Sequence, residues 1–529
     1  MNKIALFPLM LSVMLFTVGC SSTKSTNNKK AQVVTLNERE KQTKPDKKLA
    51  QSNEDTYISE RHKANFPPQL IAFMEGALKN NKKILESQHD VLGANEEHNI
   101  QKSAFKPVIE SVSGVSTTPY RYWTGDKPKD VHVNADTTYR TALRAKWNIY
   151  RGRADLAKLE SIDKKIEAKW KGHDSLVQDI LLQVVELYFN IVAKQEEIED
   201  IKSFMKARKE SINVATQMLA GGATKEVDVV QAHAAYAEAE AKLSVAEAQL
   251  QSDIAKLEEI TGMVVSGKLK RPKEIFSFKI SENEALEIAQ KYNPKMIATH
   301  AEYLASVAKT KEPTGGFYPS IDVESNVLIE EINGTTGIVK EGLAKHSTTA
   351  INRGTPIIGV NATIPLYSGG SGLAKKRQAG EELTKARVAR ERINLEIKTE
   401  IKQALEMIEA SNENIISGEK AIKARSLSLQ ATQEEHQAGV KIMKDVLEEQ
   451  QKLLEAQKLT VEAIRDKLIN QCKLLGLLGR LNPKYLKLSG NNFDYLKEFK
   501  HQQRSMLSRA DDWNKRRQKL KNENEYISK

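Results

Sequence analysis

Residue types that usually carry chemistry are sparse in this chain of 529 residues. There are two cysteines, Cys20 and Cys472, and ten histidines that do not have the spacing of a metal-ligand set. Two cysteines supply neither a disulfide framework nor a thiolate metal site. We also find no grouping of a nucleophile with a general base. The sequence therefore predicts no enzyme, no cofactor and no metal site.

Cys20 is in a special position, because it ends an N-terminal leader. The apolar stretch from Ile4 to Val18 is too short to span a membrane and is typical of a secretory signal peptide. Its end, Thr17 to Cys20, resembles a bacterial lipobox, in which the cysteine becomes the lipidated first residue. We expect residues 1–20 to be a lipoprotein-type signal peptide, with a plain secretory signal as the alternative. Ser21 in place of Asp favours the outer membrane, by resemblance to the sorting rule of lipoproteins.

Both ends of the remaining chain are polar and basic. Residues 21–66 are poor in large apolar side chains, which predicts a flexible linker. The formal net charge is +12, and from Lys484 to Lys529 there are twelve Lys and Arg residues against six Asp and Glu. Because no nucleic-acid motif accompanies this charge, we expect solvated ends and no nucleic-acid partner. Contact with acidic cell-envelope polymers is the alternative.

A transition from an apolar strand to a charged helix occurs twice, in WNIYRGRADLAK and IPLYSGGSGLAK. Aligning the two segments places Gly152 opposite Gly369. The same offset in residue number relates Gly222 to Gly439, and it becomes slightly shorter further upstream. A constant offset over this distance indicates that one structural half has been duplicated.

The duplication predicts the organisation of the chain. Each half has the plan helix, strand, loop, strand, very long helix, short break and long helix. The first half covers residues 67–262 and the second covers 281–482, with a linker at 263–280 between them. A basic extension at 483–529 follows the second half.

The strands in each half are amphipathic. In YRTALRAKWNIY, residues such as Leu143 and Trp147 alternate with charged residues such as Arg144 and Lys146. A period of two over about 10 to 12 residues with aromatic ends suits a tilted strand that crosses an outer membrane. FYPSIDVESNV and IIGVNATIPLY repeat the pattern, and we expect Leu328 to Thr355 between them to be an external loop. A periplasmic β-sandwich with one wet face is the alternative.

Four strands per chain cannot close a barrel. Open sheet edges are not tolerated in hydrocarbon, because their backbone groups would be unpaired. Strands that span a membrane here must therefore be shared among chains. Three copies give twelve strands, so a homotrimer is the simplest solution.

Two long segments are predicted to be helices. Arg151 to Leu219 contains no proline, and Ser368 to Gln437 repeats its length. Each helix would extend on the order of 100 Å. Small apolar residues spaced by three and four in the following segments favour antiparallel coiled-coil packing. An ordinary solvent-exposed coiled coil is the alternative, but the paired amphipathic strands argue against it.

From about Pro67 to Asn482 the chain resembles the TolC-type outer-membrane factors. The duplicated half, the Tyr-x-Gly transitions and the motifs AGGATKEVDVVQA and QAGVKIMKDVLEEQQ carry this resemblance. It implies a mostly α fold with β: a trimeric twelve-stranded outer-membrane β-barrel, continued by a periplasmic α-helical coiled-coil tunnel. Catalysis is not implied. The expected partners are a periplasmic adaptor (membrane fusion protein) and an inner-membrane ABC or proton-driven transporter.

The resemblance also implies roles at the inner end of the tunnel. Gly222 and Gly439 would mark the tips where the hairpins turn and contact the adaptor. Asp445 and Glu448 match the acidic positions that ring the periplasmic aperture. Being three residues apart, they project from one helical face, and three copies of each would favour cations. A solvated helix end is the alternative for this pair.

A second group of residues matches the network that closes the gate, namely Asp228, Lys441 and His436. His436 stands where an aromatic residue is common, and AGGAT replaces the usual first-tip motif. The leading functional prediction is an exit duct for type I protein secretion, favoured by the long linker and the basic extension. The alternatives are a small-molecule efflux duct and, more distantly, a lipid-anchored periplasmic coiled-coil adaptor.

Overall fold

A computed structural model describes residues 65–123, 131–276, 280–336, 346–354, 356–489 and 493–502. The predicted signal peptide, with Cys20, and nearly all of the predicted linker lie outside these residues. The predictions made for them therefore stay predictions.

The first half of the chain contains four helices and two strands in the described residues. Their bounds are α1 Pro68–Asn80, α2 Lys82–Ser103, β1 Val108–Trp123, β2 Val131–Arg151, α3 Ala154–Ala220 and α4 Glu226–Thr261. The second half repeats this order and adds a short C-terminal helix. Its elements are α5 Glu282–Tyr292, α6 Pro294–Lys309, a 3-10 turn Pro313–Phe317, β3 Ser320–Thr336, β4 His346–Arg353, β5 Ile357–Thr363, α7 Ser371–Gln437, α8 Met443–Leu477 and α9 Tyr495–Gln502.

Equivalent helices begin at the spacing read from the sequence. Helices α3 and α7 are both 67 residues long. The offset between their first residues equals the offset between the first residues of α4 and α8, and it is the one that relates the transition glycines. The shorter offset upstream relates Asn81 to Asn293. Each is a helix N-cap whose side chain accepts backbone N–H groups of the first turn. The boundaries of the two halves themselves stay predictions.

The strands form one antiparallel sheet in the order β1-β2-β3, with both β4 and β5 paired to β3. Segments β4 and β5 are two parts of one interrupted fourth strand. They flank residue 354, whose N–H donates to the Leu328 carbonyl at 2.9 Å. The sheet thus has four strand positions, the number expected from the resemblance.

Two strand predictions were wrong in their limits. Leu328 to Thr355 is not simply a loop, because β3 continues to Thr336 and β4 pairs with it. The glycine and threonine content of this segment does not prevent pairing when a neighbouring strand supplies the hydrogen bonds. IIGVNATIPLY forms a strand only to Thr363. Pro365 has no N–H to donate and cannot continue the ladder.

The main core lies where α1, α3 and α8 meet. Tyr188 and Phe189 of α3 are fully buried there and pack edge-to-face at 5.5 Å. The Tyr188 hydroxyl donates to the Lys270 carbonyl at 2.7 Å. Cys472 lies in the same core as a free thiol, and burial raises its pKa. Within the described residues, α3 is the one helix whose length and composition would allow it to cross a membrane. Most of its apolar stretch is buried inside the fold.

Candidate functional site

One face of the sheet is apolar and exposed. Strand pairing sets Leu143 of β2 opposite Val327 of β3, and Val323 of β3 opposite Val360 of β5. The side chains of Leu143 and Trp147 are 52% and 44% exposed. Ile109, Val115, Tyr139, Ile149, Ile329 and Ile358 are also exposed. An apolar surface of this extent, continuous over four strand positions, marks a face that meets an apolar medium.

The opposite face of the sheet is charged. Arg140 Nη2 binds Glu330 Oε1 at 2.7 Å across β2 and β3. Lys146 Nζ lies 2.6 Å from Glu324 Oε1 in the same pair of strands, and the amide of Asn361 also donates to Glu324. This face is therefore suited to contact with water. The alternation read in β2 from the sequence corresponds to these two faces.

Both edges of the sheet are open in the described part of the chain. Strand β1 has only β2 as a neighbour, and the fourth strand position has only β3. The hydrogen-bonding groups at the outer edges of β1, β4 and β5 therefore have no strand partner within this chain. In an apolar medium such edges must pair with another chain.

The two strand-to-helix transitions contain glycines with left-handed backbone. Gly152 has φ +57°, and a Cβ there would clash with the Gly315 carbonyl and come within 2.7 Å of Tyr318 Cβ. Gly369 has φ +63° with open space around it, and Gly370 follows at φ +79°. The left-handed backbone conformation favours glycine at both predicted transitions. At Gly152 the close neighbours also leave no room for a side chain.

The first hairpin turns at Gly222. This residue has φ +72°, and α4 begins four residues later. The Thr224 hydroxyl donates to Asp228 Oδ2 at 2.5 Å, and the Lys225 N–H donates to the same oxygen at 3.4 Å. The Asp228 carboxylate therefore binds the otherwise unpaired N–H at the start of α4.

The second hairpin turns at Gly439, which has φ +78°. The Ile442 N–H donates to Asp445 Oδ2 at 3.2 Å at the start of α8. Asp445 is thus the counterpart of Asp228 in the second half, and both carboxylates occupy the third position of their helix. The sequence assigned them to different roles, whereas the structure shows the same local contact for both.

The remaining predicted tip residues have separate partners. The exposed Glu448 carboxylate lies 3.0 Å from Lys452 Nζ on the same helix. His436 is 5% exposed, and its Nδ1 donates to the Lys441 carbonyl at 2.9 Å. The structure thus brings His436 and Lys441 together. In the described residues, no hydrogen bond or ion pair connects either of them with Asp228.

A buried polar seam near the tips was not predicted. Arg208 of α3 is 4% exposed, and its Nη2 donates to the Leu447 carbonyl of α8 at 2.9 Å. Burial lowers the pKa of this guanidinium to about 10. One turn further, Gln450 Nε2 donates to Ser211 Oγ at 3.1 Å. The sequence does contain a signal for this seam. Two polar residues continue an apolar row that is spaced by three and four residues along one helix face, namely Ile201, Phe204, Arg208 and Ser211.

Family comparison agrees with this geometry. The family model described as outer membrane efflux protein matches residues 74–263 and 285–480 of the chain. The chain belongs to this family. The matched stretches contain the four strand positions and both long hairpins of the outer membrane efflux protein described above. The predicted resemblance is therefore confirmed, and so are the fold class and the outer-membrane location with a periplasmic tunnel.

Individual relatives cover most of the chain. The outer membrane efflux protein BepC of Brucella suis is 25% identical over 420 residues, 79% of this chain and 87% of BepC. The proteases secretion protein PrtF of Dickeya chrysanthemi is 19% identical over 396 residues, 74% of this chain and 83% of PrtF. A crystal structure of CusC superposes with a TM-score of 0.66 at 16% identity, over 78% of this chain and 92% of CusC. This likeness shows the fold.

Family and fold are those of channel-forming proteins. In the parts of the chain that the structure describes, no group of three or more His, Cys, Asp or Glu side chains could hold a metal ion. The sheet is the membrane part of this outer membrane efflux protein, and the long helices form its periplasmic part.

Proposed function

We propose that three copies of the chain form a channel-tunnel that serves as the exit duct of a tripartite export system. The observation that carries this proposal is an amphipathic sheet whose two edges are open. Pairing β1 of one copy with the fourth strand of the next satisfies both edges, and three copies give a closed barrel of twelve strands. The charged face would then line the lumen and the apolar face would contact lipid.

Helix α7 supports the same assembly. Val388, Leu395, Ile416 and Leu427 are exposed although they are apolar. Successive members of this set are separated by close to whole numbers of helical turns, about two, six and three, so they share one face. Such a stripe needs a partner, and a neighbouring copy of the chain supplies it.

Assembly and duct function are tested together. The purified protein is expected to have the mass of a trimer in detergent by multi-angle light scattering. It should conduct ions in planar bilayers. A monomer or dimer with full conductance would contradict the twelve-stranded barrel.

The proposed partners are a periplasmic adaptor and an inner-membrane transporter, and the proposed cargo is a secreted protein. The similarity to PrtF, a proteases secretion protein, supports type I secretion. The long polar N-terminal segment and the basic C-terminal extension favour it as well. The similarity to BepC, an outer membrane efflux protein, favours small-molecule efflux as the second candidate.

A deletion strain separates these two functions. Type I secretion predicts that the strain retains a large protein substrate of an ABC transporter and that the wild-type gene restores its release. Efflux predicts increased susceptibility to small toxic compounds with unchanged protein release. Increased susceptibility with unchanged protein release would reject the assignment to type I secretion.

We further propose that Asp445 and Glu448 give the periplasmic aperture its cation preference. Support comes from the family pattern and from the exposed carboxylate of Glu448. Because Asp445 also binds the Ile442 N–H, the informative variant is Asp445→Asn with Glu448→Gln. It keeps an oxygen acceptor at the helix start and removes the charge. Reduced cation selectivity in planar bilayers is expected, and unchanged selectivity would remove the aperture assignment.

The proposals for the gate and the lipid anchor rest on sequence pattern. His436, Lys441 and Asp228 are proposed to hold the tips closed, supported by the His436–Lys441 hydrogen bond. Replacing His436 with Ala removes its hydrogen bond to the Lys441 carbonyl and is expected to increase the closed-state conductance. For Cys20, lipidation is proposed, and Cys20→Ala should abolish acyl labelling. Labelling that persists would reject it.

A further inference from the structure

The residues beyond the matched family region form an ordered segment on the helical part of the protein. The family match ends at residue 480. We use the name aromatic strap for residues 493–502, which include α9 and pack against α2 and α3. Four ring contacts hold it: Phe493 with His173 at 5.6 Å, Tyr495 stacked on Trp170 at 4.9 Å, and Phe499 with Trp170 at 5.6 Å and with His98 at 5.3 Å.

Helix α9 depends on this packing. It has only 8 residues, and an isolated helix of that length is not stable in water. The Asp494 carboxylate accepts the N–H groups of Leu496 and Lys497, each at 3.1 Å, and so caps the first turn. If the strap left α3, we would expect α9 to unfold and its amide hydrogens to exchange with solvent.

The first half of the strap forms one wall of a cavity of about 600 Å³. Phe493 and Tyr495 line it from the strap. The apolar side chains on the other walls come from α2, α3 and α6, among them Ile84, Val177 and Ile297. The strap thus covers apolar surface at a place where both halves of the chain meet, and its release would open this surface to water.

His173 lies where the strap, α2 and α3 meet. It is 5% exposed, and its ring packs edge-to-face against Phe493. Its Nδ1 lies 3.0 Å from the Ser87 hydroxyl of α2, a hydrogen bond that a neutral imidazole can make. Within the described residues, no hydrogen bond or ion pair joins His173 to a carboxylate. A proton on His173 would therefore create a buried cation without a direct counter-charge.

The adjacent carboxylate, that of Asp174, already has partners. Its Oδ2 lies 2.8 Å from Lys171 Nζ and accepts from the Tyr495 hydroxyl at 3.4 Å. The other titratable side chains that line the cavity come from three further places in the chain: Asp494 of the strap, Lys484 beyond α8 and Tyr292 of α5. The titratable side chains of α2 that flank Ser87 are exposed, namely Glu86, His89 and Asp90. The positive and negative groups of the cavity thus balance, and no excess negative charge faces a protonated imidazole.

The other end of the strap rests on a histidine that does have a counter-charge. His98 is 8% exposed and packs edge-to-face against Phe499. Its Nδ1 lies 2.6 Å from Asp163 Oδ1. A proton on His98 would be balanced by this carboxylate. The two buried histidines under the strap therefore have opposite settings for an added proton.

The sign of the pH effect at His173 follows from its burial. Burial lowers the pKa of His173, and the attraction of Asp174 offsets only part of this effect. The docked strap therefore binds the proton less well than the released strap, in which the imidazole meets water. Docking is at full strength above the ordinary histidine pKa of about 6.5. It weakens as pH falls below that value, towards the lower pKa of the docked form.

We propose that the aromatic strap is a pH-sensitive clasp, which is docked on α3 at neutral pH and is released when His173 takes up a proton. Its release opens the cavity between the two halves of the chain. The clasp is a property of the periplasmic helices of one protomer. It is independent of the exported cargo and of the number of copies in the assembly.

The experiment measures amide hydrogen exchange in the full chain, reconstituted in nanodiscs. Exchange at about pH 7.5 is compared with exchange at about pH 5.5, because histidine changes charge between these values. Rates are corrected for the intrinsic effect of pH on amide exchange. We expect the amides of residues 496–502 to exchange several-fold faster at the lower pH, while α3 around Tyr188 stays protected. No acceleration, or an equal loss of protection around Tyr188, would overturn the proposal.

A matched pair of variants assigns the effect to one histidine. His173→Gln keeps a polar partner for Ser87 but cannot be charged, so the dependence of strap exchange on pH should disappear. His98→Gln changes the other buried histidine under the same strap, and the dependence on pH should remain. Persistence of the dependence in His173→Gln, or its equal loss in both variants, would overturn the proposal.

A third variant leaves His173 in place and decides the case in which His173→Gln fails to dock. Lys171→Gln removes the cation that occupies Asp174, so this carboxylate can balance a charge on His173. Release of the strap should then require a lower pH than in the wild type. A midpoint of release that does not shift would overturn the role of His173. Planar-bilayer conductance of every variant shows separately whether the duct forms.

Discussion

Helices α3 and α7 are the same element in the two halves of the chain, yet they are buried to different extents. Both have 67 residues, and they begin at equivalent positions of the repeat. More than twice as many residues are buried in α3, among them Tyr188 and Phe189, as in α7. Helix α3 is therefore the centre of the protomer, and α7 forms much of its surface.

This difference shows how a duplicated half acquires two tasks. The exposed apolar residues of α7, such as Leu395 and Leu427, lack in the single chain the apolar neighbours that core residues have. In the trimer proposed above, neighbouring copies would supply these neighbours. Equal sequence positions in the two halves would then stabilise different levels of structure: the fold of one chain for α3, and contacts between chains for α7.

The largest expected effect tests this division directly. Phe189→Ala leaves a cavity in the α3 core and is expected to lower the free energy of unfolding by about 3–5 kcal/mol. Leu395→Ala, on the 66% exposed side chain of α7, should change the protomer by less than about 0.5 kcal/mol. It should instead reduce the fraction of trimer. Chemical denaturation and light scattering measure the two quantities, and equal losses of protomer stability would contradict the division.

The transition glycines provide the next comparison. Gly152→Ala introduces both a left-handed alanine and a clash with the Gly315 carbonyl, so we expect a loss of about 3 kcal/mol. Gly369→Ala has open space and should cost about 1 kcal/mol for the backbone alone. Thermal unfolding of the two variants gives the difference. If Gly369→Ala is as damaging as Gly152→Ala, the open space at the second transition does not exist in the assembly.

Much of the fold could be predicted because its signals are local. The alternation in β2 and the glycines at both transitions depend on neighbouring residues, and the repeat offset located the long helices within a few residues. The fourth strand position was predicted only in its β5 part. The extension of β3 to Thr336 and segment β4 were missed, because their pairing depends on the neighbouring strand and not on their own composition. The segment that contains α9 was predicted to be part of a solvated basic extension. Its packing was missed because Tyr495 stacks on Trp170, a residue in the other half of the chain.

The tip residues show the same limit. Asp228 and Asp445 were given different roles by resemblance, although the repeat offset already made them equivalent. Only the structure shows that each carboxylate accepts a hydrogen bond from the backbone N–H of the residue that precedes its helix, Lys225 for Asp228 and Ile442 for Asp445. The burial of Arg208 depends on α8, which lies in the second half of the chain.

Arg208 provides a third test, which measures whether the buried charge on α3 stabilises or destabilises the protomer. Arg208→Met removes a buried charge and fills similar volume, and it is expected to stabilise the protomer by about 1–2 kcal/mol. Two of the guanidinium nitrogens, Nε and Nη1, have no hydrogen-bond partner in the described structure, which favours a gain. Arg208→Ala should destabilise, because it leaves a cavity. Urea unfolding distinguishes these outcomes, and a strongly destabilised Met variant would show that the Leu447 contact dominates.

The same residue gives a pH dependence with a defined sign. Burial lowers the pKa of Arg208 to about 10 in the folded chain, below the ordinary pKa that it has in the unfolded chain. Between the folded-state and the unfolded-state pKa the unfolded chain binds more protons, so this group raises stability as pH increases through that window. Below about pH 10 the full penalty of the buried charge is present. The stability difference between Arg208→Met and wild type should therefore be constant at neutral pH and decrease above about pH 10.

The smallest expected effect is at the tips, where the two halves are alike. Asp228→Ala and Asp445→Ala each remove an acceptor from the start of a helix and should cost about 1 kcal/mol. Asp→Asn at each position should recover much of this loss, because an amide oxygen can accept the same N–H. Hydrogen exchange of the first turns of α4 and α8 measures both variants. Equal increases in hydrogen exchange for the two Asp→Ala variants would confirm that the carboxylate stabilises the helix start in both halves. A larger effect at Asp445 would mean that this carboxylate has a second partner, which the neighbouring copies around an aperture would supply.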